Sequence, residues 1–204
     1  LLILFEQSEY FLYKIENEIK SNKQIDGSKL KIYLGSVSDK KYTEYVFSSN
    51  KVDTVYHAAA CKHVPLIESN PLSAITTNIL GSYYVAKSAI KNNVKNFIFV
   101  SSDKAVRPTN IMGSTKRFAE ITLQSLQDNI SKYNENSKIK FCIVRFGNVL
   151  DTSGSVIPLF REQISKGGPL TVTHPDIIRY FMTIEEAVEL VIQAGSLSDG
   201  GEIY

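Results

Sequence analysis

Short apolar runs alternate with longer stretches of helical periodicity along the whole chain. Five runs rich in strand-forming residues lie at 1–5, 29–35, 52–56, 97–100 and 138–144. After each run, apolar residues recur every three or four positions, a spacing that predicts an amphipathic helix. Strands that alternate with helices are typical of βαβ units, so the pattern predicts an α/β fold with a parallel sheet and right-handed crossovers.

The longest predicted helix follows residue 110 and carries a charged residue on its apolar face. Its inward stripe has alternating steps of four and three and consists of Met112, Lys116, Ala119, Leu123, Leu126, Ile130 and Tyr133. A charge on such a stripe is costly unless it is paired or in use. Lys116 is therefore a candidate functional residue.

Two further helices have clear start signals. Asn70 and Pro71 predict an N-cap followed by proline at the first helical position, and Thr183 with Glu186 predicts a capping box. The inward stripe of the first helix consists of Leu72, Ile75, Ile79, Tyr83, Ala86 and Ile90, and that of the second of Ala187, Leu190, Val191 and Ala194. Asn78 lies one position off its stripe. We expect it to tie the helix to a neighbouring loop, because buried polar groups need partners.

The composition is that of an ordinary globular protein. Hydrophobic residues make up 43% and charged residues 22% of the 204 residues, and this length suits one α/β domain or one domain with a small appendage. A net charge of +2 is too small to predict a nucleic-acid or anionic-membrane partner. Cys61 and Cys142 lack metal-ligand spacing, so no metal site is predicted. No apolar run approaches the ~18 residues of a membrane-spanning helix.

The apolar run at 97–100 ends in two serines, an acid and an amine. In open α/β sheets, ligands bind outside the carboxyl ends of the strands, so Asp103 and Lys104 are well placed to act on a substrate. Taken singly, Asp103 can equally be a helix N-cap, Lys104 a surface charge and Met112 core filler. The combination of these residues with Lys116 on one stretch favours a functional site.

Two other strand ends carry candidate binding residues. Glu6 follows the first apolar run, where a dinucleotide-binding fold uses an acid to accept hydrogen bonds from ribose hydroxyls. The third run leads into His57, Ala58, Ala59 and Ala60. The three alanines leave space for a nicotinamide ribose or a pyrophosphate, and equally for close helix packing; both interpretations stay open. His63 lacks a partner at metal-ligand spacing and is interpreted as a substrate or loop contact.

Five segments together are typical of one protein family. They are HAAACKHVPLIESNP at 57–71, the helix with Asn78, VSSDKAVRPTNIMGSTKR at 100–117, VRFGNVLDTSGSVIPLF at 144–160 and TVTHPDIIRYFMTIEEAV at 171–188. With them the chain resembles the extended short-chain dehydrogenase/reductase superfamily. More closely, it is similar to the polysaccharide-biosynthesis (CapD-like) nucleotide-sugar 4,6-dehydratases that act on UDP-N-acetylglucosamine. The resemblance implies a Rossmann-like doubly wound parallel sheet with a small C-terminal substrate-binding portion.

The implied activity is that of an NAD(P)-dependent hydro-lyase of bacterial surface polysaccharide or glycan biosynthesis. The cofactor would oxidise C4 of the sugar, water would leave from C5 and C6, and the hydride would return to C6 to give a UDP-4-keto-6-deoxy sugar. The implied catalytic residues are Ser102, Asp103, Lys104, Met112 and Lys116. Asp103 would be the acid and Lys104 the base of the elimination, Ser102 would bond the C4 oxygen, and Lys116 would hold the nicotinamide ribose.

Met112 stands where most of the superfamily has the tyrosine that acts as the base for C4 oxidation. The chain resembles the branch with methionine at this position, often fused to membrane segments. A thioether cannot move a proton, so either a water or Asp103 would take the hydroxyl proton. The absence of the phenol argues against a simple epimerase or alcohol dehydrogenase.

The resemblance also implies binding residues. Those for the cofactor are Glu6, Ser8, Val37, His57, Ala58, Ala59, Ala60, Asn78 and Lys116. Those for the UDP-sugar are Lys62, His63, Asn148 and Arg179, of which Arg179 suits the phosphates because a guanidinium matches their geometry. The carboxylate of Glu6 would repel a 2′-phosphate, which favours NAD+; NADP+ stays open as the alternative.

Both ends of the chain are expected to be cuts within a longer protein. Residues 1–145 are interpreted as a partial dinucleotide-binding domain without its first strand and glycine-rich loop, and 146–204 as a partial substrate-binding portion. We expect the piece alone to bind cofactor poorly and to be inactive. The parent is expected to be a cytoplasmic homo-oligomer or the cytoplasmic domain of an inner-membrane protein. A nucleotide-sugar epimerase and a non-catalytic dinucleotide-binding module are the alternative functions; neither has a use for both Asp103 and Lys104.

Overall fold

The computed structural model describes residues 1–133, 137–150, 152, 156–172 and 174–204. Its strands are β1 (Leu2–Glu6), β2 (Leu30–Leu34), β3 (Thr54–His57), β4 (Asn96–Val100), β5 (Lys140–Val144), β6 (Asn148–Val149) and β7 (Phe181–Met182). Its α-helices are α1 (Glu9–Ser21), α2 (Lys40–Ser48), α3 (Val64–Ser69), α4 (Pro71–Ala74), α5 (Ser82–Lys91), α6 (Ile111–Tyr133), α7 (Val156–Ser165) and α8 (Ile184–Leu197). Strands and helices alternate, which confirms the predicted α/β class.

All of the strand pairs in the described residues are parallel. One sheet pairs β1 with β2, a second has the order β3-β4-β5, and a short third pairs β6 with β7. The groups β2-β1 and β3-β4-β5 correspond to the two flanks of the doubly wound order 3-2-1-4-5-6, in which one further strand separates them. Ile203 extends the second sheet through a parallel bridge to Ile143.

Alternate residues of β4 and β5 enter two apolar layers, because successive side chains of a strand point to opposite faces. On one face, Phe97, Phe99, Phe141 and Ile143 pack with buried residues of α5 and α6. On the other, Ile98, Cys142 and Val144 pack with Val191 and Ala194 of α8. Burial on both faces explains why these strands have no polar alternation.

The inward face of α6 departs from the predicted stripe toward its end. Met112, Lys116, Ala119, Leu123 and Ile130 are buried, but Leu126 is half-buried and Tyr133 is 82% exposed. A strict 3.5-residue repeat drifts by about 20° per heptad around a straight helix. The drift turns Tyr133 outward and brings Glu120 and Gln127 into the buried face instead.

The predicted stripe from Leu72 to Ile90 is largely wrong. Leu72 is 74% exposed and Ile75 and Tyr83 are also exposed, while the buried positions are Ala74, Asn78, Gly81, Ser82, Val85, Ala86, Ser88 and Ala89. A π-helical segment at Ile75–Gly81 joins α4 to α5 and changes which residues share a face, because its turns are wider than α-helical ones. Small residues then allow close packing: a Cβ at Gly81 would lie 2.8 Å from Cγ2 of Val37.

The helix start signals are partly confirmed. Thr183 and Glu186 form the predicted capping box, with both hydrogen bonds present, although Leu190 is 49% exposed rather than inward. Pro71 is the first residue of α4 as predicted, but Asn70 makes no side-chain cap bond. Its amide donates to the carbonyl of Leu66 because Asn70 also ends α3, a helix that the periodicity did not indicate.

The sequence also predicts a turn at 151–155 and a short strand at 171–173. Thr171 and Val172 are not in a strand. Thr173, Asp151 and residues 153–155 lie outside the described part of the chain. Within that part, no helix has both the length and the apolar character needed to cross a membrane.

Candidate active site

The segment after β4 is held against the segment after β5 by backbone hydrogen bonds. Ser101 N–H donates to the carbonyl of Val144 at 2.7 Å, and Asp103 N–H donates to the carbonyl of Phe146 at 3.1 Å. These bonds continue the parallel pairing of the two strands beyond their carboxyl ends. The segment therefore has a fixed position at the edge of the sheet where ligands bind in α/β proteins.

Ser102 begins a short 3₁₀ turn at Asp103–Ala105, and its hydroxyl accepts a hydrogen bond from Lys104 N–H at 3.2 Å. Ser102, and not Asp103, is thus the N-cap of this turn, so the alternative structural role considered for Asp103 is not observed. The carboxylate of Asp103 therefore accepts hydrogen bonds from neighbouring side chains. Ser102 Oγ donates to Asp103 Oδ1 at 3.0 Å, and Lys104 Nζ lies 2.9 Å from the same oxygen.

The acid and the amine form a partly exposed ion pair, with the Asp103 side chain 49% and the Lys104 side chain 33% exposed. Burial raises the pKa of Asp103, but the hydrogen bond and charge of Lys104 and the bond from Ser102 outweigh it, so the pKa of Asp103 is lowered. At neutral pH Asp103 is therefore a carboxylate that accepts a hydrogen bond from the Lys104 amine.

Two glycines let neighbouring segments approach this pair. A Cβ at Gly113 would lie 2.1 Å from the Lys104 carbonyl oxygen, so only glycine allows the first turn of α6 to pack on the 3₁₀ turn. A Cβ at Gly147 would lie 3.1 Å from the Tyr180 carbonyl oxygen and 3.9 Å from Asp103 Oδ2. Gly147 thus brings the loop after β5 beside the acid.

Lys116 lies inside the protein at the end of β4, where its charged group has structural partners. Its Nζ donates to the Val100 carbonyl at 2.8 Å and sits 4.6 Å from the centre of the Phe99 ring. Burial lowers the pKa of Lys116 to about 8, against an opposing effect of the negative charge of Glu120. Lys116 is therefore a cation that loses its proton within the mildly alkaline range.

Met112 lies one turn before Lys116 and packs into a separate apolar cluster. It is 4% exposed, and its neighbours there include Ile67 of α3 and Ala74 of α4. The side chain joins α3 to α6, which is the core-filling role that was its alternative interpretation.

Asn78 ties the helix to a loop, as predicted. Its amide oxygen accepts from Cys61 N–H at 2.8 Å, and its amide nitrogen donates to the Cys61 carbonyl and to Thr115 Oγ1, each at 3.0 Å. This clamp fixes the loop after β3 against α6. In that loop Ala58 is exposed and Ala59 and Ala60 are half-buried.

His57 is a buried, neutral side chain rather than a group that faces solvent. Its Nε2 lies 2.9 Å from the Ser82 hydroxyl, which itself donates to the Asn78 carbonyl, so Nε2 carries the proton. Burial, with a smaller contribution from the charge of Lys116, lowers the pKa of His57 to about 3. Any contact of His57 with a cofactor is therefore made by its backbone.

The remaining predicted cofactor residues lie at the ends of β1 and β2. Glu6 is half-buried, and its carboxylate accepts from Ser8 N–H at 2.8 Å, while Ser8 caps α1. Val37 is buried and packs against Gly81 of the π-helical segment. The half-buried carboxylate of Glu6, the partly exposed alanines at 58–60 and the ammonium of Lys116 all suit a dinucleotide, so these residues fit NAD.

The predicted substrate residues fall into two places. Lys62 and His63 are exposed at the start of α3. Asn148 begins β6, and its backbone N–H donates to the Tyr180 carbonyl, the residue after half-buried Arg179. Asn148 thus lies beside Tyr180, and a Cβ at Gly147 would contact both the Tyr180 carbonyl and Asp103.

The sequence interpretation missed the carboxylate of Glu120 and its partner Arg145. Glu120 is fully buried and is bonded by Arg145, Arg117 and Ser101. Burial raises its pKa, but these three partners outweigh it and lower the pKa, so Glu120 stays ionised. The available signal was its position four residues after Lys116 on the same helix face.

Comparison with known proteins gives the family. The family model described as "Polysaccharide biosynthesis protein" matches residues 1–204. The chain belongs to this family. It is 48% identical to the capsular polysaccharide biosynthesis protein CapD of Staphylococcus aureus over 100% of the chain and 33% of that protein. It is also 44% identical to an uncharacterized membrane protein of Methanocaldococcus jannaschii, over 97% of the chain and 56% of the relative.

A third relative has a different named activity. The chain is 40% identical to the UDP-glucose 4-epimerase of Rickettsia canadensis, over 88% of the chain and 51% of the epimerase. Across these three relatives the chain therefore spans between 33% and 56% of their length.

Solved structures agree with the observed fold. Pen from Bacillus thuringiensis superposes with a TM-score of 0.89 at 35% identity, over 100% of the chain and 59% of Pen. A dTDP-glucose 4,6-dehydratase, DesIV of Streptomyces venezuelae, solved with NAD bound, has a TM-score of 0.78 at 15% identity, over 100% of the chain and 74% of DesIV. At that identity the second likeness concerns the fold alone, and it confirms the Rossmann-like class.

The lowered pKa of Lys116 predicts a pH-dependent stability that Lys116→Met removes. The pKa is about 8 in the folded chain and 10.5 is its ordinary value, so between these pH values the unfolded chain binds more protons. The free energy of unfolding of the wild-type protein should therefore rise with pH in this window, by up to ~3 kcal/mol relative to Lys116→Met. Urea unfolding of both full-length proteins at several pH values measures the difference. Parallel curves would contradict the assignment.

Proposed function

We propose that the full-length protein is a nucleotide-sugar 4,6-dehydratase that converts UDP-N-acetylglucosamine to a UDP-4-keto-6-deoxy sugar. The observation that supports this most is the Asp103–Lys104 pair, an acid and an amine 2.9 Å apart at the end of the central strand β4. The identity with CapD, whose name refers to capsular polysaccharide biosynthesis, supports a role in the synthesis of a surface glycan.

NAD+ is the proposed cofactor, held at Glu6 and Ser8, at the backbone of residues 57–60 and 37, and by Lys116. When bound there, it supplies the reversible oxidation of the sugar at C4. Lys116 adds positive charge at the end of β4, and Asn78 keeps the alanine loop in place. NAD+ is preferred over NADP+ because the Glu6 carboxylate would repel a 2′-phosphate at that strand end.

The elimination needs a protonated acid and a neutral amine, whereas the resting pair contains a carboxylate. A single proton shift from Lys104 to Asp103 along their hydrogen bond converts one arrangement into the other. Desolvation favours the neutral form of an ion pair. A sugar ring that covers this partly exposed pair thus promotes the shift. Neutral Lys104 then takes the C5 proton, and Asp103 protonates the C6 oxygen as it leaves as water.

Other residues bind and orient the sugar. Ser102 holds the C4 oxygen, and a water or Asp103 accepts the C4 hydroxyl proton, because Met112 offers no base. If Asp103 takes this proton it is already the acid of the elimination, and Lys104 then passes its own proton to water instead of to Asp103. Lys62, His63 and Asn148 contact the nucleotide sugar, and Arg179 pairs with the phosphates. The pairing of β6 with β7, which brings Asn148 beside Tyr180, supports the action of Asn148 and Arg179 on one substrate.

An epimerase is the second candidate, favoured by the 40% identity with the Rickettsia canadensis UDP-glucose 4-epimerase. An epimerase shares the oxidation at C4 but removes no water, so it has no role for an elimination pair. Substitution of Lys104 therefore distinguishes the two functions.

Lys104→Ala should abolish loss of water from UDP-N-acetylglucosamine while NAD+ still binds, because the amine that takes the C5 proton is removed. Loss of general base catalysis typically costs about 10²–10⁴-fold in rate. Mass spectrometry of the product with the full-length protein measures the reaction, and calorimetry measures NAD+ binding.

Lys95→Ala is the matched control, because Lys95 also pairs with an aspartate, Asp53, but both side chains are well exposed on the surface. It should turn over at the wild-type rate. Unaltered turnover in Lys104→Ala would refute the base assignment, and an unchanged substrate mass with the wild-type protein would refute the dehydratase.

The protein is further proposed to be a cytoplasmic homo-oligomer, or the cytoplasmic domain of an inner-membrane protein. Large apolar side chains lie exposed on two helical segments that pack together, namely the α4–α5 segment and α6. They are Leu72, Ile75, Leu80, Tyr83, Phe118 and Ile121. Exposed apolar surface of this kind is typical of contacts between subunits.

Ile121→Glu should lower the oligomeric state of the full-length protein, because it places a charge in the proposed subunit contact. Light scattering after gel filtration measures the molecular mass. The control is Tyr10→Glu, a change at a 67% exposed aromatic residue of α1 outside these helices. A wild-type monomer, or an equal loss of mass in both variants, would contradict the proposal.

A further inference from the structure

Glu120 is a carboxylate with 0% exposure whose two oxygens both have hydrogen-bond donors. Ser101 Oγ donates to Oε1 at 2.6 Å, and Arg145 Nε donates to the same oxygen at 2.8 Å. Arg117 Nη1 donates to Oε2 at 2.9 Å, and Arg145 Nη2 also contacts this oxygen. Glu120 is therefore a fully buried carboxylate whose charge is paired with two half-buried arginines.

The partners of Glu120 belong to three elements that meet at the candidate active site. Ser101 directly follows β4 and precedes the Ser102–Lys104 segment, while Arg145 directly follows β5. Glu120 itself lies one turn beyond Lys116 on α6. One side chain thus connects the ends of both strands with the helix that carries Lys116.

The energetic balance of such a cluster argues for a role beyond stability. Desolvation of buried charges is costly, and replacing a buried ion pair by apolar residues of similar size is often neutral or stabilising. A charged cluster at this place has a geometric effect that an apolar core would lack, because hydrogen bonds fix both direction and distance.

We propose that Glu120 is a positioning residue that holds the Ser102–Lys104 segment in register with Lys116, through its bonds to Ser101 and Arg145. Its role in a reaction rests on the proposed function, whereas its effect on the segment does not. Misplacement of a reacting group by about 1 Å can cost ~10²-fold in rate. Weakening the link to β4 should therefore slow the reaction without weakening cofactor binding.

Two single substitutions separate positioning from stability. Ser101→Ala removes the bond between Glu120 and the end of β4, and the arginine partners stay. Arg117→Met removes another bond to the same carboxylate, but Arg117 is a partly exposed residue of α6 and makes no link to either strand. Both variants lose one hydrogen bond of Glu120, so melting temperatures of the two full-length proteins check that their stabilities are comparable.

The first readout is hydrogen exchange of the Asp103 amide, which is bonded to the Phe146 carbonyl. We expect exchange at least ~10-fold faster in Ser101→Ala than in Arg117→Met, because local opening and not global unfolding is affected. Equal exchange in the two variants would overturn the proposal. This readout tests the positioning role of Glu120 in either case, whether the protein is a dehydratase or not.

The second readout is single-turnover reduction of bound NAD+ by UDP-N-acetylglucosamine, followed by cofactor absorbance. Ser101→Ala should lower this rate by ~10-fold or more while KM and the Kd for NAD+ stay within about 3-fold. Arg117→Met should stay within about 3-fold of the wild type in all three. Equal slowing in both variants would overturn the proposal. A wild-type protein that removes no water from this sugar would instead refute the proposed function, and the exchange of the Asp103 amide would still test the role of Glu120.

Discussion

Hydrogen bonding beyond the ends of β4 and β5 is the constraint on which the site depends. The backbone of Ser101 and Asp103 is bonded to the segment after β5, and the buried carboxylate of Glu120 bonds the side chains of Ser101 and Arg145. Gly113 adds the third contact, because α6 can touch the Lys104 carbonyl only without a Cβ. A parallel sheet normally releases its chains into mobile loops at this edge. Here the loop after β4 is instead fixed on two sides.

Because this loop is fixed, the charged side chains on it and around it are also held in place. Asp103 and Lys104 form an ion pair that is only partly exposed, while Lys116 is buried close to the end of the same strand with a pKa of about 8. A ligand that excludes water from this edge would favour the neutral form of the pair, and so prepare an acid and a base together. The same edge carries the alanine backbone held by Asn78. The proposed proton transfer and the proposed cofactor contacts thus lie at the ends of the neighbouring strands β4 and β3.

The sequence was sufficient to predict the class of fold. It also predicted that Ser102–Lys104 follow the end of a strand and that Lys116 lies on the inward face of a helix, because strand ends and a charge on an apolar stripe are local signals. It was insufficient for the face of the helix around Asn78, where a π-helical segment shifts the buried side to small residues. Glu120 was missed for a related reason: periodicity ranks apolar residues as buried, and a buried acid becomes recognisable only when Arg145 from a distant strand is seen to pair with it. The prediction that Tyr133 lies on the inward face of α6 was wrong because a 3.5-residue repeat drifts around a straight helix.

The central claim is that the pair at the end of β4 exchanges a proton at C5 of the sugar. Reaction of the full-length protein with UDP-N-acetylglucosamine in D₂O, with NMR of the product, tests it most directly. Removal of the C5 proton, loss of the C6 hydroxyl and return of a proton from the solvent-exchanged pair should leave deuterium at C5 of a product that has lost one water. A product with hydrogen at C5, or one inverted at C4 without loss of water, would contradict the account.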